Sequence, residues 1–74
     1  MERENYDKYR RLGLNISYYR KLRGVSQLQL AEKVNISRTH MSRIEIAECA
    51  VSLDVLFNIA HQLDIEVYKL FQWK

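Results

Sequence analysis

The sequence predicts an all-α domain of five helices, and three observations carry that expectation. The 74 residues contain no proline and only two glycines, which argues against a turn-rich β sandwich. Apolar residues recur at helical spacing along most of the chain instead of alternating. Ser26, Ser37 and Ser52 each stand just before such a stretch, where a hydroxyl can accept from an amide that the first helical turn leaves unpaired.

Met1 to Lys8 is mixed in charge and has no apolar stripe. It is expected to be an N-terminal extension, frayed or attached as a loose first turn, with the domain proper over 9–74. From Leu12, the residues Leu12, Ile16 and Tyr19 mark helix one, with Arg20 and Arg23 alongside. Gly24 closes it, because glycine takes the left-handed conformation without a steric penalty.

Ser26-Gln27-Leu28-Gln29 reads as a capping box that opens helix two. Leu30, Ala31 and Val34 are its buried face, and Asn35, which tolerates a left-handed turn, ends it. Ser37 caps helix three, with Ile36 and Met41 spaced as a hydrophobic staple across its start. Over about 38–45, Met41 and Ile44 lie on one side, leaving Arg38, Thr39, Ser42 and Arg43 on the other.

Residues 46–51 are a connection, and Ser52 caps a fourth helix with the core stripe Leu53, Leu56, Ile59, Ala60 and Leu63. Asp64 turns the chain into a short fifth helix from Ile65 to Phe71, with Val67, Leu70 and Phe71 as its apolar positions and Phe71 in the core. Gln72-Trp73-Lys74 trails beyond it.

Charge narrows the choice of partner. The net charge is +3, and the basic excess belongs to residues 1–45, whereas residues 46–74 are acidic on balance. Such asymmetry suits an anionic partner, nucleic acid above all, or else a solvated basic face. The lone Cys49 forms no internal disulfide, and no leader peptide or membrane-length apolar run is present. These features predict a soluble, cytoplasmic protein without a second, ligand-sensing domain.

His40, His61 and Cys49 have no metal-ligand spacing, and no glycine-rich phosphate loop or paired acids occur. An enzyme, a metal site and a bound cofactor are therefore not expected. Two short helices joined by a tight turn, the second capped by serine and polar on its outer side, form the unit that inserts a helix into the major groove. That unit spans about 27–45.

The segment Ser26 to Glu45, SQLQLAEKVNISRTHMSRIE, resembles the helix-turn-helix of the lambda repressor/Cro-like, or XRE, family of transcriptional regulators. SLDVLFNIAHQLDIEVYKLF resembles that family's last two helices, so the resemblance covers about Leu12 to Phe71. It implies a compact five-helix lambda-repressor-like domain that binds double-stranded DNA. By position in the motif, Arg38, Thr39 and Arg43 would touch base edges, with Ser42 a further candidate and His40 at a position where members vary. Arginine suits the paired acceptors of guanine, and Thr39 offers a methyl to thymine.

The resemblance also places Gln27 against a phosphate, with Ser37, Lys33, Lys21 and Arg23 as weaker phosphate candidates. Arg20 and Glu45 match a family pair that bridges helix one to the end of the recognition helix. Two departures stand out. The family's glycine two residues after that glutamate is Ala47, and its frequent proline is Val51. Alanine resists the left-handed conformation, so helix three is expected to run on or the loop to take another path.

The apolar loop 46–51, beside Phe57, Tyr68 and Trp73, suits a dimer face, or these aromatics complete a small core. A homodimer on a pseudo-palindromic operator is expected, because one domain alone would sit near the nonspecific range of ~10⁻⁴–10⁻⁶ M. A repressor is the regulator the resemblance favours. The alternative is an antitoxin-type module that also holds a small partner protein, through Leu22 and Leu28 among others.

Overall fold

The computed structural model describes residues 1–73; Lys74, part of the expected tail, lies outside them. Four α-helices, α1 (Tyr6–Leu22), α2 (Gln27–Lys33), α3 (Arg38–Glu45) and α4 (Leu53–Gln62), are flanked by 3-10 turns at Arg3–Asn5 and Val67–Phe71. Among the described residues the fold is all-α. No helix among the described residues is long and apolar enough to cross a membrane.

The serines start the helices. Ser26 Oγ accepts from the Gln29 amide at 3.0 Å while Gln29 Oε1 accepts from the Ser26 amide at 2.9 Å, completing the capping box. Ser37 Oγ accepts from the His40 amide and Ser52 Oγ from the Val55 amide. Each bond satisfies a donor that the first turn cannot pair internally.

All four α-helices end in one way. A single left-handed residue follows each: Gly24 (φ 70°), Asn35 (φ 61°), Ala47 (φ 60°) and Asp64 (φ 55°). In every case its amide and the next one reach back to carbonyls of the last turn, as in Gly24 N to Lys21 O and Val25 N to Arg20 O, both 3.0 Å. The paired closure is the Schellman motif. Val25, Ile36 and Ile65, each just past a left-handed residue, pack against the core.

Ala47 thus enters the conformation that alanine resists, and α3 ends without running on. The left-handed penalty of about 1–2 kcal/mol is offset by two closing bonds, Ala47 N to Ile44 O and Glu48 N to Arg43 O, and by burial of the Ala47 methyl.

The core gathers Leu12 and Ile16 from α1, Leu30, Ala31 and Val34 from α2 and its end, Met41 and Ile44 from α3, Leu56, Ile59, Ala60 and Leu63 from α4, and Leu70. Burying each large member fully contributes about 1.5–3 kcal/mol. Two side chains of the α1 region tie down the C-terminal third. Asn15 Nδ2 donates to the Leu70 and Gln72 carbonyls, each at 2.9 Å, and Arg23 donates to the carbonyls of Leu63 and Asp64 at the end of α4.

Several sequence expectations need correction. α1 begins at Tyr6, inside the extension assigned to residues 1–8, because half-buried Tyr9 continues the Leu12–Ile16 stripe by three residues. The fifth helix is a 3-10 turn beginning at Val67, after an extended Glu66. Its period of three aligns Val67 with Leu70 and rotates Phe71 out of the core, leaving it 46% exposed. Leu53, expected in the α4 stripe, is 61% exposed; at the helix's first residue no element covers it, and it lines an open groove with Tyr9, Phe71 and Trp73.

Backbones approach closely at Gly13, where α1 crosses the end of α3. A Cβ there would stand 2.7 Å from the Ile44 carbonyl oxygen and 2.8 Å from the Glu45 carbonyl carbon. Gly13→Ala gains about 1 kcal/mol of helix propensity but overpacks by about 1–3 kcal/mol. We expect net destabilisation in urea unfolding. Asp64→Gly is expected to raise stability by up to about 1 kcal/mol, because the side chain is exposed and left-handed and Arg23 bonds only its carbonyl.

Candidate nucleic-acid interface

The geometry of α3 is set from beneath. Arg20 Nε donates to Glu45 Oε2 at 2.8 Å and Arg20 Nη2 to Glu45 Oε1 at 3.1 Å, a two-pronged pair whose side chains are 10% and 4% exposed. Arg20 Nη1 donates to the Val25 carbonyl at 2.9 Å, and Gln27 Nε2 donates to Glu45 Oε1 at 3.1 Å. One carboxylate therefore joins α1, the start of α2 and the end of α3. Met41 and Ile44 bury the inner side of α3.

The outer side is left free. Arg38, Thr39, His40 and Arg43 are exposed and Ser42 is half-buried. The spacing of four residues groups Arg38 with Ser42 and Thr39 with Arg43 in two adjoining rows. Ser37, exposed at the start of α3, uses a lone pair on the His40 amide and keeps its hydroxyl hydrogen. Arg43 Nε lies 4.0 Å from Glu48 Oε1, with both side chains about 60% exposed.

The remaining candidates separate. Gln27 is half-buried and commits one amide hydrogen to Glu45, leaving its carbonyl oxygen and second hydrogen. Lys21 and Lys33 are exposed. Arg23 is exposed and caps α4, donating from Nε and Nη2 to the Leu63 and Asp64 carbonyls, which leaves Nη1 uncommitted.

The connection after α3 is less open than its composition implies. Ala47 is buried, Cys49 and Val51 pack against the core, and Ile46 and Ala50 stay exposed. Leu22, Leu28, Phe57 and Tyr68 are exposed, and Arg11 stacks 5.8 Å from the ring centre of half-buried Trp73. Sequence reasoning missed Gly13, Asn15 and the Arg43–Glu48 pair. The last is separated by five residues and becomes a neighbour pair only through the left-handed turn at Ala47.

The family model described as helix-turn-helix matches residues 16–70, from the middle of α1 to the last buried leucine. The chain belongs to the XRE helix-turn-helix family of DNA-binding transcriptional regulators.

Among solved structures, this XRE domain is similar to the restriction-modification controller protein C.AhdI from Aeromonas hydrophila. The two are 30% identical with a TM-score of 0.85, covering 89% of this chain and 100% of that one. The clp gene regulator ClgR from Corynebacterium glutamicum is 27% identical with a TM-score of 0.82, over 84% of this chain and 66% of that one. SinR, the master regulator for biofilm formation, in complex with DNA is 32% identical with a TM-score of 0.77, over 82% of this chain and 98% of that one; the SinR domain solved in solution is from Bacillus subtilis. No curated protein matches at a significant level.

Within this XRE domain the Arg20–Glu45 pair has a testable weight. Arg20→Met strands a buried carboxylate and is expected to cost about 3–5 kcal/mol in urea unfolding. Arg20→Met combined with Glu45→Leu should recover much of that loss, because no lone charge then stays buried.

Proposed function

We propose that the chain is a sequence-specific regulator that binds double-stranded DNA as a homodimer, inserts α3 into the major groove and acts as a repressor. The observation that carries this reading is the free outer row of Arg38, Thr39 and Arg43 on a helix whose other side is locked to the core. From residue 38 to 43 the helix rises about 7.5 Å, near two base-pair steps of ~3.4 Å. Arg38 and Arg43 then face base edges about two steps apart as guanine readers, Thr39 meets a thymine methyl, and Ser42 supplements them. Gln27 and Ser37 hold phosphates with their uncommitted hydrogens. The solved SinR complex with DNA supports the assignment by likeness.

Two copies on a pseudo-palindrome, with recognition helices about 34 Å apart, supply affinity that one helix lacks. We assign to the partner copy the face that carries exposed Leu53 and Phe57, one turn apart on α4, with the apolar groove of about 260 Å³ that Val51, Leu53, Phe71 and Trp73 line. Where the bound site overlaps a promoter, occupancy excludes other proteins, which is the simplest route to repression. The exposed Leu22 and Leu28 favour a second reading, a module that also holds a small partner protein. Retention of such a partner through purification from the native host, and its loss with Leu22→Glu, tests it.

Selection of binding sites from random DNA tests the main reading. Arg38→Ala and Arg43→Ala should each relax preference at particular base pairs and cost about 1–3 kcal/mol on the selected site. An equal loss on every sequence would make both residues phosphate contacts. Phe57→Glu should leave the fold intact, give a monomer in sedimentation and weaken operator binding at least about tenfold. An unchanged oligomeric state would remove this face from the interface.

A further inference from the structure

The turn that ends α3 brings an acid to the base-reading side. The Glu48 amide donates to the Arg43 carbonyl at 2.8 Å, which seats residue 48 over residue 43 once Ala47 has turned left-handed. The Glu48 carboxylate then stands 4.0 Å from Arg43 Nε. Between Lys33 and Asp54 the two acids are Glu48, which is exposed, and Glu45, which is buried on Arg20. Among the described residues, no carboxylate lies within 4.0 Å of Arg38.

An ion pair this exposed adds almost nothing to stability, so its consequence lies in binding. Arg43 has a long flexible arm, and its guanidinium satisfies a phosphate as readily as a guanine. A carboxylate beside Nε leaves the two terminal nitrogens free for the paired acceptors of guanine. The same carboxylate repels a phosphate brought to that side of the arm. It therefore opposes the binding mode common to every DNA sequence more than the mode specific to one.

We propose that Glu48 is a specificity-determining residue that positions Arg43 for base reading and holds it off the phosphate backbone. This rests on the reading of α3 as the recognition helix. Glu48 lowers affinity for DNA in general and raises the ratio of specific to nonspecific binding.

The test measures binding of the full chain to a site selected from random DNA and to a random duplex of equal length. It compares wild type, Glu48→Gln, Arg43→Ala and the double variant over a range of salt. Glu48→Gln should tighten the random duplex about 3- to 10-fold and steepen its log–log salt slope by about 0.9. It should tighten the selected site by a smaller factor, so the ratio falls. In the Arg43→Ala background, Glu48→Gln should shift both duplexes by one common factor.

A common factor in the presence of Arg43 would overturn the proposal, leaving Glu48 as a general repulsive charge. Persistence of the ratio loss without Arg43 would also overturn it, by assigning the effect to another residue. The underlying reading fails separately: Arg43→Ala would then leave base preference unchanged. Thermal melting of Glu48→Gln at the wild-type midpoint shows that the comparison is between folded proteins.

Discussion

The Glu45 carboxylate is the point on which the arrangement depends. It is buried and shared among Arg20 of α1, Gln27 at the start of α2 and its own place at the end of α3. A carboxylate in that position is tolerated because both oxygens accept from the guanidinium, one from Nε and one from Nη2. Apolar burial of Met41 and Ile44 holds α3 to the core but is indifferent to small rotations. The directional bonds at Glu45 are not, so the ion pair sets the angle at which the outer row of α3 meets a partner.

Close backbone approach reinforces that constraint. Gly13 lets α1 pass against the carbonyls of Ile44 and Glu45, where any side chain would intrude, and this brings Arg20, two turns further along α1, into the reach of Glu45. Asn15 and Arg23 extend the same logic to the C-terminal third, each spending side-chain donors on backbone carbonyls that end helices or turns. In so short a chain, with little surface to bury, such bonds from α1 make one cooperative unit of segments that are individually marginal.

The helix ends show where sequence patterns carry structural information and where they stop. Ser26, Ser37 and Ser52 announce three helix starts because capping is local, involving a hydroxyl and an amide three residues on. Gly24, Asn35 and Asp64 are residues with a visible tolerance for the left-handed turn. Ala47 has no such preference, and its turn is paid for by burial and by bonds to Ile44 and Arg43. The exposure of Leu53 and Phe71 was illegible for a related reason. Helical spacing states which residues share a side, but not whether another element covers that side.

Residue identities and spacing by themselves determined the all-α class, three caps, the helix-turn-helix boundaries and the inward Met41–Ile44 side opposite Arg38, Thr39 and Arg43. These depend on interactions within a few residues, which the order of side chains encodes directly. Tertiary structure alone decided that Gly13 is a crossing point, that Arg23 caps α4, that Ala47 turns left-handed and that Glu48 stands beside Arg43. Each of these depends on what distant segments place next to the residue, and the free energy that selects them comes from burial and bonding across the whole fold.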